Sequence, residues 1–436
     1  MLKLLEKPQL VTTGEAVNFR DSWRVFKIIA EFVDGYNFVG DLKREVTILG
    51  SARLAPNNKY YKIAEQFGAL LGKNGFTTMT GGGPGIMEAA NKGADKAGGE
   101  SVGINIQLPR EQRTNPYVKK SVGFSYFFTR KVMLTSPANA FVLFPGGFGT
   151  LDEFFEVVDY MELGYMHKSP IVLVGREFWE PLIKFLRNQS VGQVHAFPEE
   201  IINTWHIVET AEEAFDMIKN TEDRDNICAV DDILCRGGAD WRIFRILAEL
   251  VDGFEFLSNV RGDVTVLGTK SILPGSAYYD AAYELGKALA KNGNTVVTGG
   301  GPGTMEAANK GAFEAGGTSI GINIITDRGE RVNNFVNKSL GFHFPFVRKL
   351  IITAPSEAFA FFPGGFGTLH QLFELLTLIE TKKREPMPIL LYGEEFWAPM
   401  LEYFRLLSEK FKTINRVDED LVTVLHQPED ILKYLR

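Results

Sequence analysis

Cysteine is nearly absent from this chain: 436 residues carry two, Cys228 and Cys235. Their spacing matches no zinc or redox pattern, and one pair could not staple a chain this long, so two reduced thiols in a reducing cytoplasm are expected. Long hydrophobic runs are also missing; no stretch approaches the roughly 18–20 apolar residues that span a bilayer. The first residues, Met1 to Lys7, lack the apolar core and small-residue cleavage site of a signal peptide. Positive charge is in deficit. A formal net charge of −7 argues against nucleic acid as the main partner, because phosphate-backbone binders carry a basic excess. The histidines are scattered, and His195, His206 and His426 show no ligand spacing, so no metal and no cofactor are expected. No G-x-S-x-G elbow, no G-x-x-x-x-G-K-[ST] loop and no dinucleotide-type G-x-G-x-x-G with its distant acid occurs. A serine hydrolase of the elbow type, a P-loop NTPase and a dehydrogenase are thereby disfavoured.

What is present is a unit written twice. Shifted by 218 residues, the sequence overlays itself without a gap from about Trp23 to Trp179, which falls on Trp397. Thr80 to Ala94 recurs at Thr298 to Ala312 with one change, Thr304 for Ile86. A period above 200 residues is too long for a solenoid and implies two whole domains of one fold. The reading is a leader over 1–16, a first domain over 17–220, a linker over 221–240 and a second domain over 241–436. In the linker, charges and Gly237-Gly238 interrupt the hydrophobic periodicity.

Within the first unit, strands and helices alternate. Val46 to Gly50, Phe76 to Met79, Val102 to Ile106, Ala140 to Phe144 and Ile171 to Val174 read as short buried strands. Tyr61 to Lys73, Met87 to Lys96, a segment around Arg130 to Leu134 and a segment from Thr150 read as helices. The alternation predicts α/β domains, Rossmann-like and doubly wound with mostly parallel sheets, whose ligands bind at the carboxyl ends of the strands.

Two glycine-rich turns fall at those ends: Gly81-Gly82-Gly83-Pro84-Gly85, and Pro145-Gly146-Gly147-Phe148-Gly149-Thr150. A strand, a glycine turn and a helix start aim backbone N–H groups and a helix dipole at an anion, usually a phosphate. Glycine in such turns also has a purely conformational use. Glu88 and Glu153 sit in the first turns of the following helices, where an acid stabilises the dipole without any substrate. A carboxylate beside a bound phosphate would point at another part of the ligand, such as a ribose. Arg130-Lys131 recurs as Arg348-Lys349 next to the same turn in both copies, which raises an anion-binding role over that of a solvated basic pair.

These residues resemble the LONELY GUY (LOG) family, long labelled "possible lysine decarboxylases". The resemblance rests on Gly50-Ser51-Ala52-Arg53, Gly81 to Gly85 with Met87-Glu88-Ala89, Leu108-Pro109 with Glu111-Gln112 and Asn115, Arg130-Lys131, and Pro145 to Glu153. It implies a phosphoribohydrolase that cleaves a nucleoside 5′-monophosphate, commonly AMP or a cytokinin nucleotide, to free base and ribose 5-phosphate. The decarboxylase label fits poorly, since only isolated lysines could suggest a pyridoxal phosphate site. On the resemblance, Arg130 and Glu153 are the catalytic pair. Gly146, Gly147, Gly149 and Thr150 form the phosphate turn, and Ser51, Arg53, Gly82, Gly83, Glu88 and Lys131 are substrate-binding candidates. Whether Arg130 holds phosphate or ribose is left open.

The second copy keeps Arg348, Gly364, Gly365, Gly367 and Thr368 but replaces Glu153 by Gln371, Arg53 by Ser271 and Leu108-Pro109 by Thr326-Asp327. It is expected to be non-catalytic, binding a nucleotide weakly or serving as scaffold. Related family members pair as homodimers, so the tandem is expected to be such a dimer fused into one chain, a pseudo-dimer of repeats, with further self-association left open. The competing reading is a nucleotide sensor or molybdenum-cofactor carrier that binds without hydrolysis.

Overall fold

A computed structural model of the chain describes residues 19–107, 114–223, 239–258, 260, 262–325 and 332–435. The leader over 1–16, both cysteines, Leu108-Pro109, Glu111-Gln112, Thr326-Asp327 and most of the 221–240 linker lie outside those residues. Among the described residues no helix is long and apolar enough to cross a membrane.

The first repeat runs α1 (Phe19–Val39), β1 (Glu45–Leu49), α2 (Lys59–Lys73), β2 (Thr77–Thr80), α3 (Ile86–Lys96), β3 (Ser101–Ile106), β4 (Lys120–Phe124), α4 (Phe127–Thr135), β5 (Ala140–Leu143), α5 (Phe148–Leu163), β6 (Ile171–Val174), α6 (Arg176–Phe185), β7 (His206–Val208) and α7 (Ala211–Ile218). The second repeats the plan: α8 (Ala239–Leu257), β8 (Asp263–Leu267), α9 (Ala277–Lys291), β9 (Thr295–Thr298), α10 (Thr304–Glu314), β10 (Ser319–Ile324), β11 (Lys338–Phe342), α11 (Pro345–Thr353), β12 (Ala358–Phe361), α12 (Phe366–Glu380), β13 (Ile389–Tyr392), α13 (Glu394–Arg405) and β14 (Thr423–Leu425).

Each repeat is one seven-stranded parallel sheet. The orders are β4-β3-β2-β1-β5-β6-β7 and β11-β10-β9-β8-β12-β13-β14. Central strands such as β1 and β5 are buried along their whole length, which is why they read as continuous apolar runs. The edge strand β4 escapes that pattern. Lys120 and Ser121 are exposed and Gly123 breaks the apolar alternation, so nothing local marks it as a strand. Chain direction across the sheet reverses between β1 and β5, where Thr47 pairs with Phe141, and this switch point opens the crevice that holds both glycine turns.

The outer face of each sheet has its own core, Val46, Ile48 and Phe67 with α2 and α3 in one repeat, Val264, Val266 and Leu285 with α9 and α10 in the other. The inner faces do not. They share a single cluster in which Phe148, Phe155 and Phe178 of repeat one mingle with Phe373, Tyr403 and Phe404 of repeat two. At its centre α5 packs on α12, with the Phe155 and Phe373 rings stacked 5.3 Å apart.

Candidate functional site

The crevice is tied together by backbone hydrogen bonds between its two lips. The Ser51 N–H donates to the Pro145 carbonyl (3.0 Å), and the Ile86 N–H to the Ser51 carbonyl (3.0 Å). Arg53 N–H donates to Ser51 Oγ at 3.1 Å, so that hydroxyl shapes its own loop. Across the cleft, Asn115 Nδ2 donates to the Gly82 and Gly83 carbonyls at 3.1 and 3.0 Å. Gly82 has a φ of +70°, and a Cβ there would fall 1.9 Å from Asn105 Oδ1, so only glycine fits.

The second turn is equally tight. A Cβ on Gly146 would overlap the Thr150 hydroxyl at 2.0 Å, so the glycine allows Thr150 to fold back over the turn. Gly147 is the N-cap of α5 and supplies no side-chain cap, as does Gly365 for α12. The first N–H groups of each helix therefore have no side-chain acceptor and sit at the positive end of a dipole, the arrangement that binds anions.

Beside that turn stands a buried ion pair. Arg130, on α4, donates through Nε to the Ile104 carbonyl (3.0 Å) and through Nη1 to Glu153 Oε1 (3.3 Å). The other carboxylate oxygen, Oε2, is buried without a hydrogen-bond partner. Burial pushes the Glu153 carboxyl up to about 7, with Lys131 and Arg130 pulling it down and Glu156 and Asp152 pushing it up. In repeat two Arg348 keeps its bond to the Ile322 carbonyl (2.9 Å), but Gln371 offers it no charge, and the Gln371 amide nitrogen is buried without a partner.

Two of the expected ligand-binding residues face elsewhere. Lys131 is 1% exposed and its ammonium holds Asp152 (2.7 Å) and Glu156 (3.0 Å) inside the α5–α12 seam, not the turn at Gly146 to Thr150. Burial opposes its charge, yet Asp152 and Glu156 outweigh it and hold the lysine well above its usual range. Glu88 accepts from the Tyr61 hydroxyl at 3.0 Å, tying α3 to α2, and Glu306 does the same with Tyr279.

The seam continues across the repeats. Glu156 also meets Lys349 (3.5 Å) and His370 (3.2 Å), while Lys349 pairs with Glu374 (3.2 Å). His370 stands where repeat one has Asp152, between Lys349 and Glu156.

The repeats also wall each other's turns with residues that no local pattern marks. A Cβ on Gly147 would fall 2.7 Å from the Thr413 carbonyl oxygen of repeat two, and one on Gly365 would fall 2.9 Å from Ala196 Cβ of repeat one. Arg53 reaches across to Asn415 (2.9 Å) and Glu380 (2.6 Å). Gly147→Ala must push that wall away, at a cost of about 1–3 kcal/mol. The expected result is roughly tenfold weaker binding of inorganic phosphate by calorimetric titration. Unchanged affinity would show that the wall yields without moving the turn.

Among the described residues no cluster of three or more His, Cys, Asp or Glu side chains could hold a metal ion. The crevice brings together a helix N-terminus without a side-chain cap, a buried carboxylate and the guanidinium bonded to it.

Comparison with known proteins agrees with these motifs. The chain is 27% identical over 155 residues to a cytokinin riboside 5′-monophosphate phosphoribohydrolase of Rhodococcoides fascians, covering 34% of this chain and 76% of that one. It is 30% identical over 170 residues to an enzyme of the same name from Mycobacterium marinum, covering 38% of this chain and 84% of that one. Among solved structures, a molybdenum cofactor binding protein from Rippkaea orientalis aligns over 41% of this chain and 96% of its own, at 21% identity and a TM-score of 0.33. The family described as "Possible lysine decarboxylase" matches twice, over residues 87–218 and 305–435. Those matches span more than half of the sequence, and the chain belongs to that family as a tandem of two Rossmann-like α/β domains.

Proposed function

We propose that the chain is a nucleoside 5′-monophosphate phosphoribohydrolase that converts AMP or a cytokinin riboside monophosphate to free base and ribose 5-phosphate, and that repeat one does the chemistry. The observation that carries this reading is the buried Arg130–Glu153 pair beside an uncapped helix N-terminus, a pair that repeat two lacks. The names of the relatives support the substrate class.

On this reading the α5 N-terminus, with Gly146, Gly147, Gly149 and Thr150, anchors the 5′-phosphate, and that remote binding energy holds the sugar over Glu153. Breaking the C1′–N bond sends its electron pair to the base and builds positive charge on the ribose. The ionised Glu153 carboxylate stabilises that charge and orients the water whose oxygen bonds to C1′; the water's proton leaves to the base or solvent. Arg130 keeps Glu153 in place and balances its charge. Gln371 has the size of Glu153 without its charge, so repeat two binds a nucleotide without cleaving it. The tandem acts as a dimer fused into one cytoplasmic chain, each repeat completing the rim of the other's site; the shared inner core and the Thr413 and Ala196 walls support this.

Incubation with AMP, GMP, CMP and a cytokinin riboside monophosphate, followed by chromatography of free base, tests the reading. Tight binding of one monophosphate with no cleavage of any would favour the carrier or sensor. The working form of Glu153 is the ionised one, and burial raises its pKa to about 7. The kcat/KM profile is therefore expected to rise with pH through about 7 and to fall tenfold per unit on the acid side. A limb centred near the ordinary glutamate value would contradict the assigned role.

A further inference from the structure

We propose that repeat two holds, without cleaving it, a pentose 5-phosphate that bears a second anionic group on C1. The inference rests on the phosphate turn of the proposed function and narrows what the second turn receives. It does not depend on base release in repeat one.

The two crevices share a scaffold. Arg130 and Arg348 donate through Nε to the carbonyls of Ile104 and Ile322, on β3 and β10. Each also lays Nη2 against a glycine turn, where a Cβ on Gly81 or Gly299 would fall 2.4 Å away. The partners of the two guanidinium groups differ. Arg130 has a counter-ion in Glu153, whose second oxygen is a buried acceptor that receives no donor. Arg348 has none: among the described residues no carboxylate lies within ion-pair distance of it. Asp159 of repeat one favours its charge from farther off but is itself hydrogen-bonded to His370 Nδ1 (3.4 Å). Burial pushes the Arg348 guanidinium down to about 10.

The uncharged groups around Arg348 are unfilled too. Gln371, at the Glu153 position, is 4% exposed and its amide nitrogen meets no acceptor. Asn323, next to Ile322 on β10, gives its oxygen to the Ile324 N–H (2.8 Å) and leaves Nδ2 buried and unbonded. The equivalent Asn105 donates to Thr114 Oγ1 at 2.7 Å. Thr304, the one change in the repeated glycine-turn stretch, puts a buried, unbonded hydroxyl where repeat one has Ile86.

Repeat one therefore presents an unpaired acceptor, suited to a ribose hydroxyl or a developing cation. Repeat two presents unpaired donors beside an uncompensated cation, a buried set that an acceptor with negative charge completes. The α12 N-terminus, with no side-chain cap, takes the 5-phosphate through the turn at Gly364 to Thr368. Glu153 works at C1 in the proposed function, so the second anion, held at the matching place by Arg348 and Gln371, falls at C1. Gln371 has no charge with which to stabilise a cationic sugar, and the ligand stays whole.

Calorimetric titration of the full chain, in buffer with a chelator, with ribose 5-phosphate and with 5-phosphoribosyl 1-diphosphate tests this. The wild type is expected to bind the 1-diphosphate at least about tenfold tighter, the effect of one added charge-assisted pair. Gln371→Glu supplies Arg348 with a counter-ion from the chain itself. It is expected to abolish the preference while ribose 5-phosphate still binds, which shows the turn intact. Arg348→Met is expected to lose the preference as well. Equal affinities in the wild type, or a preference that survives Q371E, overturn the proposal and leave the chemistry of repeat one untouched. Binding of neither probe overturns it together with the phosphate turn on which both readings rest.

Discussion

Lys131→Ala is expected to destabilise the fold by about 3–5 kcal/mol, measured as a shift in the urea unfolding midpoint, because removing one partner of a buried ion pair leaves the other uncompensated. Two partners are involved here. Asp152 and Glu156 are both buried and both bonded to the Lys131 ammonium. Without it, Glu156 keeps only Lys349 and His370 from the other repeat, and Asp152 keeps His370 at 3.9 Å. A solvent-facing lysine at the Gly146 to Thr150 turn would behave differently, since its removal costs almost nothing. Lys131 also helps lower the Glu153 pKa, so any activity that survives should have its acid limb displaced to higher pH.

Glu153→Gln is expected to lower base release by about 10²–10³-fold, the range for loss of one preorganised group that stabilises transition-state charge. The substitution keeps the side-chain shape and makes repeat one a copy of repeat two at this position. KM should change far less than kcat, because the phosphate turn and its helix dipole are untouched. Gln371→Ala, by contrast, changes a position that carries no carboxylate in repeat two and should largely spare the rate.

Much of this was legible in the sequence because it is local. Glycines that must admit Thr150 or take a positive φ leave a spacing signature, and strands buried on both faces leave short apolar runs. Arg130 and Lys131 show where local reading stops. Adjacent residues on a helix point about 100° apart. One guanidinium therefore faces the turn while the neighbouring ammonium faces the seam, although the dipeptide reads as a single basic pair. Arg53 marks a second boundary: its partners Glu380 and Asn415 lie more than 300 residues away, and no periodicity connects them. His370 is a third. As a scattered histidine it carries no signal, yet it fills the Asp152 position in a charge cluster that only the packing of α5 on α12 assembles.

The account centres on Pro145 to Glu153: a glycine turn present in both halves and an acid present in one. The most direct test is free-base release from AMP and from a cytokinin riboside monophosphate by wild type, E153Q and Q371A side by side. The account predicts release by wild type and Q371A and a near-complete loss in E153Q. Release by E153Q at the wild-type rate, or its loss in Q371A instead, would contradict it.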